Sequence, residues 1–389
     1  MADAVLAVNA GSSSLKFAVY RDVSGKITPV SKGEIEGIGT APHFVARNAD
    51  GVALVERRFP SATFASLLGE LLGWVDHHLG DDHLVAVGHR VVHGGRDYTA
   101  PVQVTDTVLA ALEALTPLAP LHQPHSLEPM RSITMLRPGL PQIACFDTAF
   151  HHTMPVVATR FALPREYEDE GVRHYGFHGL SYEYIARRLR EVAPRLAAGR
   201  VIVAHLGNGA SLCAMRAGVS IDTTMTFTAL DGLMMGTRCG AIDPGVLLYM
   251  SQQQKLSPDD IEHLLYEKSG LLGVSGLSGD MRVLLASDLP RAREAVELFV
   301  FRIARETAAL AASLGGLDGF VFTAGIGEHA PEIRAAVCER LRWIGVVPGS
   351  PDGSLISAPD SGVEVRVIPT DEEAMIGQHT VETIAARVV

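Results

Sequence analysis

The chain has 389 residues, more than one hydrophobic core usually holds, so two domains are the default expectation. Its 47% hydrophobic and 20% charged residues and its formal charge of −11 describe a soluble globular chain and exclude a disordered or fibrous one. No block of Lys and Arg offers a nucleic acid its footprint, no apolar run reaches membrane-spanning length, and Cys145, Cys213, Cys239 and Cys338 lack any metal-ligand spacing. Neither nucleic acid nor membrane is therefore an expected partner, a reducing cytoplasm is the expected compartment, and any bound anion must be held by a few placed cations.

In chain order, "MADAVLAVNA" has no basic stretch, and its apolar run stops at Asn9, too short for a signal-peptide core. "VNAGSSSLKF" follows as two strands joined by a Gly-Ser turn. Hydroxyls such as Ser12, backbone N–H groups and the charge of Lys16 then gather where phosphate oxygens could sit; an ordinary polar hairpin is the alternative. A helical pattern runs over Phe64–Leu79, and "VGHRVVHGG" places Arg90 at a strand end. After a second helical pattern, Ser126–Leu136, "IACFDTAFH" sets Asp147 directly behind an apolar strand, where a carboxylate can meet a cation or cap a turn.

"RHYGFHGLSYEYI" carries His174 and His178 in a glycine-punctuated loop before a helix, Ser181–Val192, that Ser181 is suited to cap. "VIVAHLGNGASLCAMRAG" then repeats the opening hairpin, His205-Leu206-Gly207-Asn208-Gly209-Ala210-Ser211-Leu212 lying on Asn9 to Leu15 with one insertion. "MMGTRCGAIDPG" offers Arg238 and Asp243, and the helix Ser257–Lys268 is announced by Ser257 before Pro258. "SGLSGDMR" offers Asp280 and Arg282, and another helix spans Arg291–Leu314. "GFVFTAGIGEHAPEIRAAV" reads as a third glycine-rich turn through Gly325 and Gly327, leading to a helix over Pro331–Leu341. Last, "VIPTDEEAMIG" ends a strand in Asp371, Glu372 and Glu373 at the mouth of a helix, Glu372–Ala386; favouring the helix dipole is their simplest role.

Hairpins mixed with helices predict an α/β chain of two domains, each a mixed sheet flanked by helices, with the ligand cleft between them. Neither a G-x-x-x-x-G-K-[ST] loop nor a dinucleotide G-x-G-x-x-G is present, so phosphate must be held by another device. Placed arginines, a histidine, strand-end carboxylates and three glycine-rich turns are together the parts needed for Mg²⁺-dependent phosphoryl transfer.

Taken in order, "VLAVNAGSSSLK", "GHRVVHGG", "FDTAFHHTMP", "YGFHGLS", "HLGNGAS", "MGTRCG", "FTAGIGE" and "PTDEEAMI" resemble the acetate kinase family over essentially the whole chain. The resemblance implies the duplicated ribonuclease-H-like fold of acetate and sugar kinases, actin and heat-shock chaperone ATPases. It further implies a first domain over 1–149 completed by 371–389, a nucleotide-binding second domain over 150–370, and a homodimer.

By the same resemblance Asn9 and Glu372 fix Mg²⁺, or Mn²⁺, while Arg90, Asp147, His178 and Arg238 surround the transferred phosphoryl. Val92, Leu121 and Phe177, with Arg90, receive the acyl substrate. The nucleotide, ATP or ADP, falls to Asn208, Gly209, Asp280, Met281, Arg282, Gly325, Ile326 and Gly327, joined by Ser12, Lys16, His205 and Gly207 of the two hairpins. Because a carboxylate nucleophile is already ionised, Asp147 is expected to orient Arg90 or bound water and not to remove a proton.

Acetate and ATP interconverting with acetyl phosphate and ADP is the implied reaction. A kinase for propionate or another short acid is the near alternative, and a nucleotide-switched chaperone-like ATPase the distant one. The chain departs from the family pattern at Asp371 where an Asn is usual, at His329 where the third turn usually ends in Asn, and at Ala229 in place of a Pro that lines the acyl pocket. Cys239, beside Arg238, reads as an inert small residue, although a neighbouring cation would lower its pKa.

Overall fold

The computed structural model describes residues 2–351 and 353–386. Two compact units emerge, one formed by the residues up to Ala149 together with those from Asp371 onward, the other by Phe150–Thr370. Of the limits expected for the first domain, residue 1 and residues 387–389 lie outside the described residues.

The first unit is built on an eight-stranded sheet: β1 (Asp3–Ala10), β2 (Ser14–Val23), β3 (Lys26–Glu36), β4 (His43–Asn48), β5 (Ala53–Arg58), β6 (His83–Val91), β7 (Val102–Gln103) and β8 (Gln142–Phe146), in the order β5-β4-β3-β2-β1-β6-β8-β7. Strands β1 to β5 run as an antiparallel meander, whereas β1, β6 and β8 are parallel neighbours. Branched and aromatic residues alternate toward one face, where Leu6, Val8, Phe17 and Val19 pack with Leu67, Leu68, Leu71 and Val75 of the helix Phe64–Leu79.

The helix Glu372–Ala385 also packs on this sheet, against β1, β2, β6 and β8. Its approach is set by Gly88, where an added Cβ would fall 2.1 Å from Thr380 Oγ1 and 2.6 Å from Ile376 Cγ2. Any side chain there would push the helix, and with it Glu372, away from the strand ends.

The second unit repeats the plan with β9 (Arg200–Leu206), β10 (Ala210–Arg216), β11 (Val219–Thr223), β12 (Gly319–Thr323) and β13 (Glu364–Val367), in the order β11-β10-β9-β12-β13. An antiparallel meander again leads into two parallel strands, so β3-β2-β1-β6-β8 and β11-β10-β9-β12-β13 are the same arrangement. The helix Pro290–Leu314 lies along β9, β10 and β11 and buries Phe299, Ile303 and Leu310. Two mixed sheets flanked by helices are the fold class predicted from the pattern.

Differences from the predicted elements have local causes. At Ser257 the expected cap is a full capping box, Asp260 N–H donating to Ser257 Oγ at 3.1 Å and Ser257 N–H to Asp260 Oδ2 at 3.2 Å. Ser181, by contrast, caps nothing: its helix starts at Gly179 behind His178, and its hydroxyl is engaged elsewhere. The third glycine turn is a short helix, Ala324–His329, closed at its start by Glu328 Oε1 accepting from Ala324 N–H at 2.7 Å. Short helices such as Asp106–Ala114 and Pro244–Gln252 go beyond the predicted elements.

Candidate active site

In the first unit the functional side chains stand at the carboxyl ends of parallel strands, the edge at which open α/β sheets hold ligands. Val8 is level with His89 across β1 and β6, and Arg90 is level with Cys145 across β6 and β8. One step outward from the first pair stand Asn9 and Arg90, and Asp147 follows Phe146 at the end of β8, so adjacent strands release polar groups at one edge. Arg90 Nε donates to Asp147 Oδ1 at 3.0 Å and Oδ2 at 3.2 Å, and Nη2 to Oδ2 at 2.5 Å, a fork-on-fork pair. Arg90 Nη1 donates to Asn9 Oδ1 at 3.3 Å, and Glu372 Oε2 lies 3.8 Å from Nε. Asp147 is 1% exposed, so nearly all of its carboxylate is committed to this arginine.

Asn9 Nδ2 donates to Glu372 Oε2 and to Glu373 Oε1, each at 3.2 Å. Burial pushes the Glu372 carboxyl up to about 7 against the pull of Arg90, with Asp147 and Glu373 raising it further. Burial works against the charge of Arg90 too, but Asp147, Glu372 and Glu373 outweigh it and hold the guanidinium charged. This corner is thus short of positive charge. Among the described residues no group of three or more His, Cys, Asp and Glu side chains is gathered as a metal cage. Mg²⁺ is commonly held by one or two carboxylates plus substrate phosphates, so charge-starved carboxylates beside an amide are a donor set of the right hardness and size.

Asp371 stands apart from that set: it caps the helix by accepting from Ala374 N–H at 2.9 Å and forms an ion pair with Lys32. The extra charge at this departure from the family pattern is thereby answered. Lys16 is exposed on β2 directly across from Asn9, and Ser12 is exposed at a hairpin tip closed by Gly11 N–H donating to Ser14 O at 2.8 Å. Val92 is buried and Leu121 is 37% exposed.

In the second unit, Arg238 and His178 converge over the turn between β9 and β10. A Cβ on Gly209 would lie 2.9 Å from Arg238 Nη2 and 3.2 Å from His178 Nε2, so glycine is what lets both reach this point. His178 holds a left-handed backbone, φ 57°, at the start of its helix, a conformation unusual for a residue with a side chain. Its Nδ1 is 2.8 Å from Ser211 Oγ, and its ring stacks on His205 with centroids 4.1 Å apart and planes at 15°. Phe177 beside it is buried. Arg238 Nη1 donates to the carbonyl of Ala229, which is itself buried.

Gly207 N–H donates to Gly209 O at 3.0 Å, and a Cβ on Gly207 would stand 3.9 Å from Ala324 Cβ, so the turn after β9 adjoins the helix holding Gly325, Ile326 and Gly327. Asn208 O accepts from Gly236 N–H at 3.1 Å, and a Cβ on Gly279 would stand 2.8 Å from Gly236 O, which brings in Asp280. Asp280 pairs with Arg282, whose side chain is 90% exposed, while Met281 is buried in the core. His174 is elsewhere, its ring against Phe161. Burial pushes the Cys239 thiol up, and His329 is exposed. Sequence reasoning gave no role to Glu328, which closes the helix Ala324–His329, or to Ser211, which meets His178 Nδ1, and it gave Ser181, 2.9 Å from His205 Nδ1, only a capping role. The one available signal was the hydroxyl of "GNGAS", already counted as part of the second hairpin.

Residues 4–378 match the model of the acetokinase family. The chain is 55% identical to an acetate kinase of Rhodopseudomonas palustris, covering 97% of this chain and 98% of that protein, and 50% identical to one from Rhizobium meliloti over 99% of each. Among solved structures, a propionate kinase from Francisella tularensis superposes with a TM-score of 0.89 at 35% identity, covering 97% of this chain and 98% of that one. An acetate kinase of Porphyromonas gingivalis superposes with a TM-score of 0.86 at 37% identity, over 98% of this chain and all of that one.

Proposed function

The chain belongs to the acetokinase family, and from that premise we propose that it transfers the γ-phosphoryl group of ATP reversibly to acetate, giving acetyl phosphate and ADP. Among observations on the molecule itself, the convergence of Arg238 and His178 over Gly209 carries this reading, because a cation and a hydrogen-bond donor aimed at one point suit the equatorial oxygens of a phosphoryl in transfer.

An acetate oxygen attacks the γ-phosphorus, the bond to the β,γ-bridging oxygen breaks, and ADP departs with that oxygen. Two anions must meet, so charge repulsion and positioning make up most of the barrier. Arg90 receives the acetate carboxylate, and Asp147, spanning its fork, sets the plane of the guanidinium. No proton has to leave the nucleophile, and the site accordingly needs no base. Arg238 and His178 take up the charge that spreads over the phosphoryl, while Gly207–Gly209 and Gly325–Gly327 give backbone room to the nucleotide phosphates. Mg²⁺ or Mn²⁺ would be held by Glu372 with Asn9, whose amide must then turn Oδ1 outward, and would neutralise charge on those phosphates.

Formation of acetyl hydroxamate from ATP, Mg²⁺, acetate and hydroxylamine tests the reading; ATP hydrolysis without hydroxamate would overturn it in favour of a nucleotide switch. Propionate is a second acceptor to assay, since Ala229 stands where the family pattern has a ring and a propionate kinase is among the structural relatives. We also propose a homodimer formed through the second unit, supported by the helix Pro244–Gln252, which buries none of its side chains and exposes Leu248 and Tyr249 by more than half. A monomeric mass by light scattering would refute it. Among the described residues no helix is long and apolar enough to cross a membrane, and the free thiols of Cys213, Cys239 and Cys338 support a reducing compartment.

A further inference from the structure

Behind His178 lies a chain of buried hydroxyls that the transfer chemistry does not itself require. Ser211 Oγ stands 2.8 Å from His178 Nδ1 and also contacts the Tyr182 hydroxyl, and neither Ser211 nor Tyr182 is accessible to solvent. Two contacts must be served by the protons available, and each hydroxyl brings one. If Tyr182 donates to Ser211 and Ser211 donates to Nδ1, both protons find acceptors. If Nδ1 carried a proton, three protons would compete for two contacts, and one buried O–H would have no acceptor.

From this we propose that Tyr182 and Ser211 are positioning residues that hold His178 as a neutral imidazole with its proton on Nε2, the nitrogen beside Gly209 and Arg238. The proposal rests on the role given to His178 above. It makes His178 a donor to the phosphoryl oxygen without a charge of its own and leaves Arg238 as the cation of the pair.

The helix end and the guanidinium beside His178 point the same way. The helix Gly179–Val192 begins at this residue, so its positive N-terminal end disfavours an imidazolium. The Arg238 guanidinium closes on the same point over Gly209, and a second positive charge there would be repelled. His205, stacked on the ring, has a hydroxyl chain of its own: Thr370 Oγ1 is 2.9 Å from Ser181 Oγ, which is 2.9 Å from His205 Nδ1. A neutral His178 stacked on this ring avoids the repulsion that two cations would meet. Burial pushes the Tyr182 phenol well up, so it keeps the proton it donates.

The test is ¹⁵N–¹H long-range correlation on the full-length protein with labelled histidine, His178 being assigned from the signal lost in His178→Gln. The expected pattern is an unprotonated Nδ1 and a protonated Nε2 throughout pH 6–8. A proton on Nδ1 at pH 7, in either the neutral or the charged ring, would overturn the proposal. Ser211→Ala and Tyr182→Phe should each introduce an Nδ1–H population. Ser211→Ala should also lower kcat about tenfold with KM for acetate and ATP within twofold, and Ser211→Thr, which keeps the hydroxyl, should restore the tautomer. Unchanged spectra in both variants would show that the hydroxyls do not set the ring. A changed tautomer with unchanged kcat would leave the relay standing and remove His178 from the reaction, so the two readings fail separately.

Discussion

Replacing Asp147 by Asn is the most informative single change, because it keeps the shape of the side chain and removes only its charge and one acceptor. Asp147 Oδ2 takes two hydrogen bonds from Arg90 and Oδ1 takes one. With the amide nitrogen in place of Oδ1, a single bond is lost and a donor faces a donor; the reverse orientation loses two. A hydrogen bond to a charged partner contributes about 1.5–3 kcal/mol, so the smaller loss predicts destabilisation in that range. For a unit of this size the fall in Tm would be about 3–12 °C by calorimetry. Arg90 would then be steered by the remaining side-chain bonds, by Asn9 Oδ1 at 3.3 Å and by Glu372, 3.8 Å from its Nε, and would hold the acceptor carboxylate less well. The expected loss in kcat/KM for acetate is about 10- to 100-fold in the hydroxamate assay, equivalent to about 1.4–2.7 kcal/mol. The pH profile should keep its shape, since the change removes a positioning group. A variant with lowered Tm but normal kcat/KM would confine Asp147 to stability. Loss of the acid limb of the profile would make it a proton acceptor and overturn the positioning role.

Arg238→Lys should lower kcat strongly with a smaller change in KM, because a point charge cannot reproduce a fork that bonds the Ala229 carbonyl while reaching over Gly209; equal loss in a direct acetate-binding measurement would move Arg238 into ground-state binding. Propionate should be used with kcat/KM within about tenfold of acetate, since one methylene in an apolar pocket is worth only about 1–3 kcal/mol and Ala229 supplies no ring. Ala229→Pro should lower propionate use selectively, and a variant that loses both acids equally would show the departure to be silent. Acid should destabilise the protein through His89, which is buried with Nδ1 unpartnered and Nε2 bonded to Gln142 at 2.8 Å, and which burial pulls down to about 4. A folded-state value below the unfolded 6.5 means that its stabilising effect is complete above pH 6.5 and is lost toward pH 4, where the unfolded chain binds the proton first. Tm measured across that window should fall less steeply in His89→Leu than in the parent, and equal slopes would refute the assignment.

Much of the site was legible because its members close apolar strands. Asp147 drew notice by standing directly after an apolar strand and Arg90 by standing near a strand end, while the roles expected of Asn9, Arg90 and Asp147 came from the family resemblance. The helices Phe64–Leu79 and Pro258–Glu267 were legible for a different reason, a 3.6-residue apolar period in one and a cap with proline behind it in the other. Local rules also misplaced features. Glycines made Gly325–Gly327 look like a turn, but Glu328, accepting from Ala324 N–H and from Thr370 N–H, closes a helix there. Ser181 had the composition of a cap, yet its hydroxyl serves His205.

Local pattern and motif order by themselves determined the long helices, the duplicated hairpin and the identity of the strand-end side chains, since those depend on neighbours a few residues away. Only the tertiary structure decided which of them meet. Asn9 and Glu372 are 363 residues apart in sequence and 3.2 Å apart in space, brought together by a last helix that Gly88 admits onto the sheet. Asp371 looked like a charge added to the metal set until Lys32, on a distant strand, turned out to hold it. Ser211 and Tyr182 left still less trace, because a buried hydroxyl on a strand and one on a helix have the pattern of ordinary core positions. Their meaning lies in a count of protons and acceptors that exists only once the chain has folded around them.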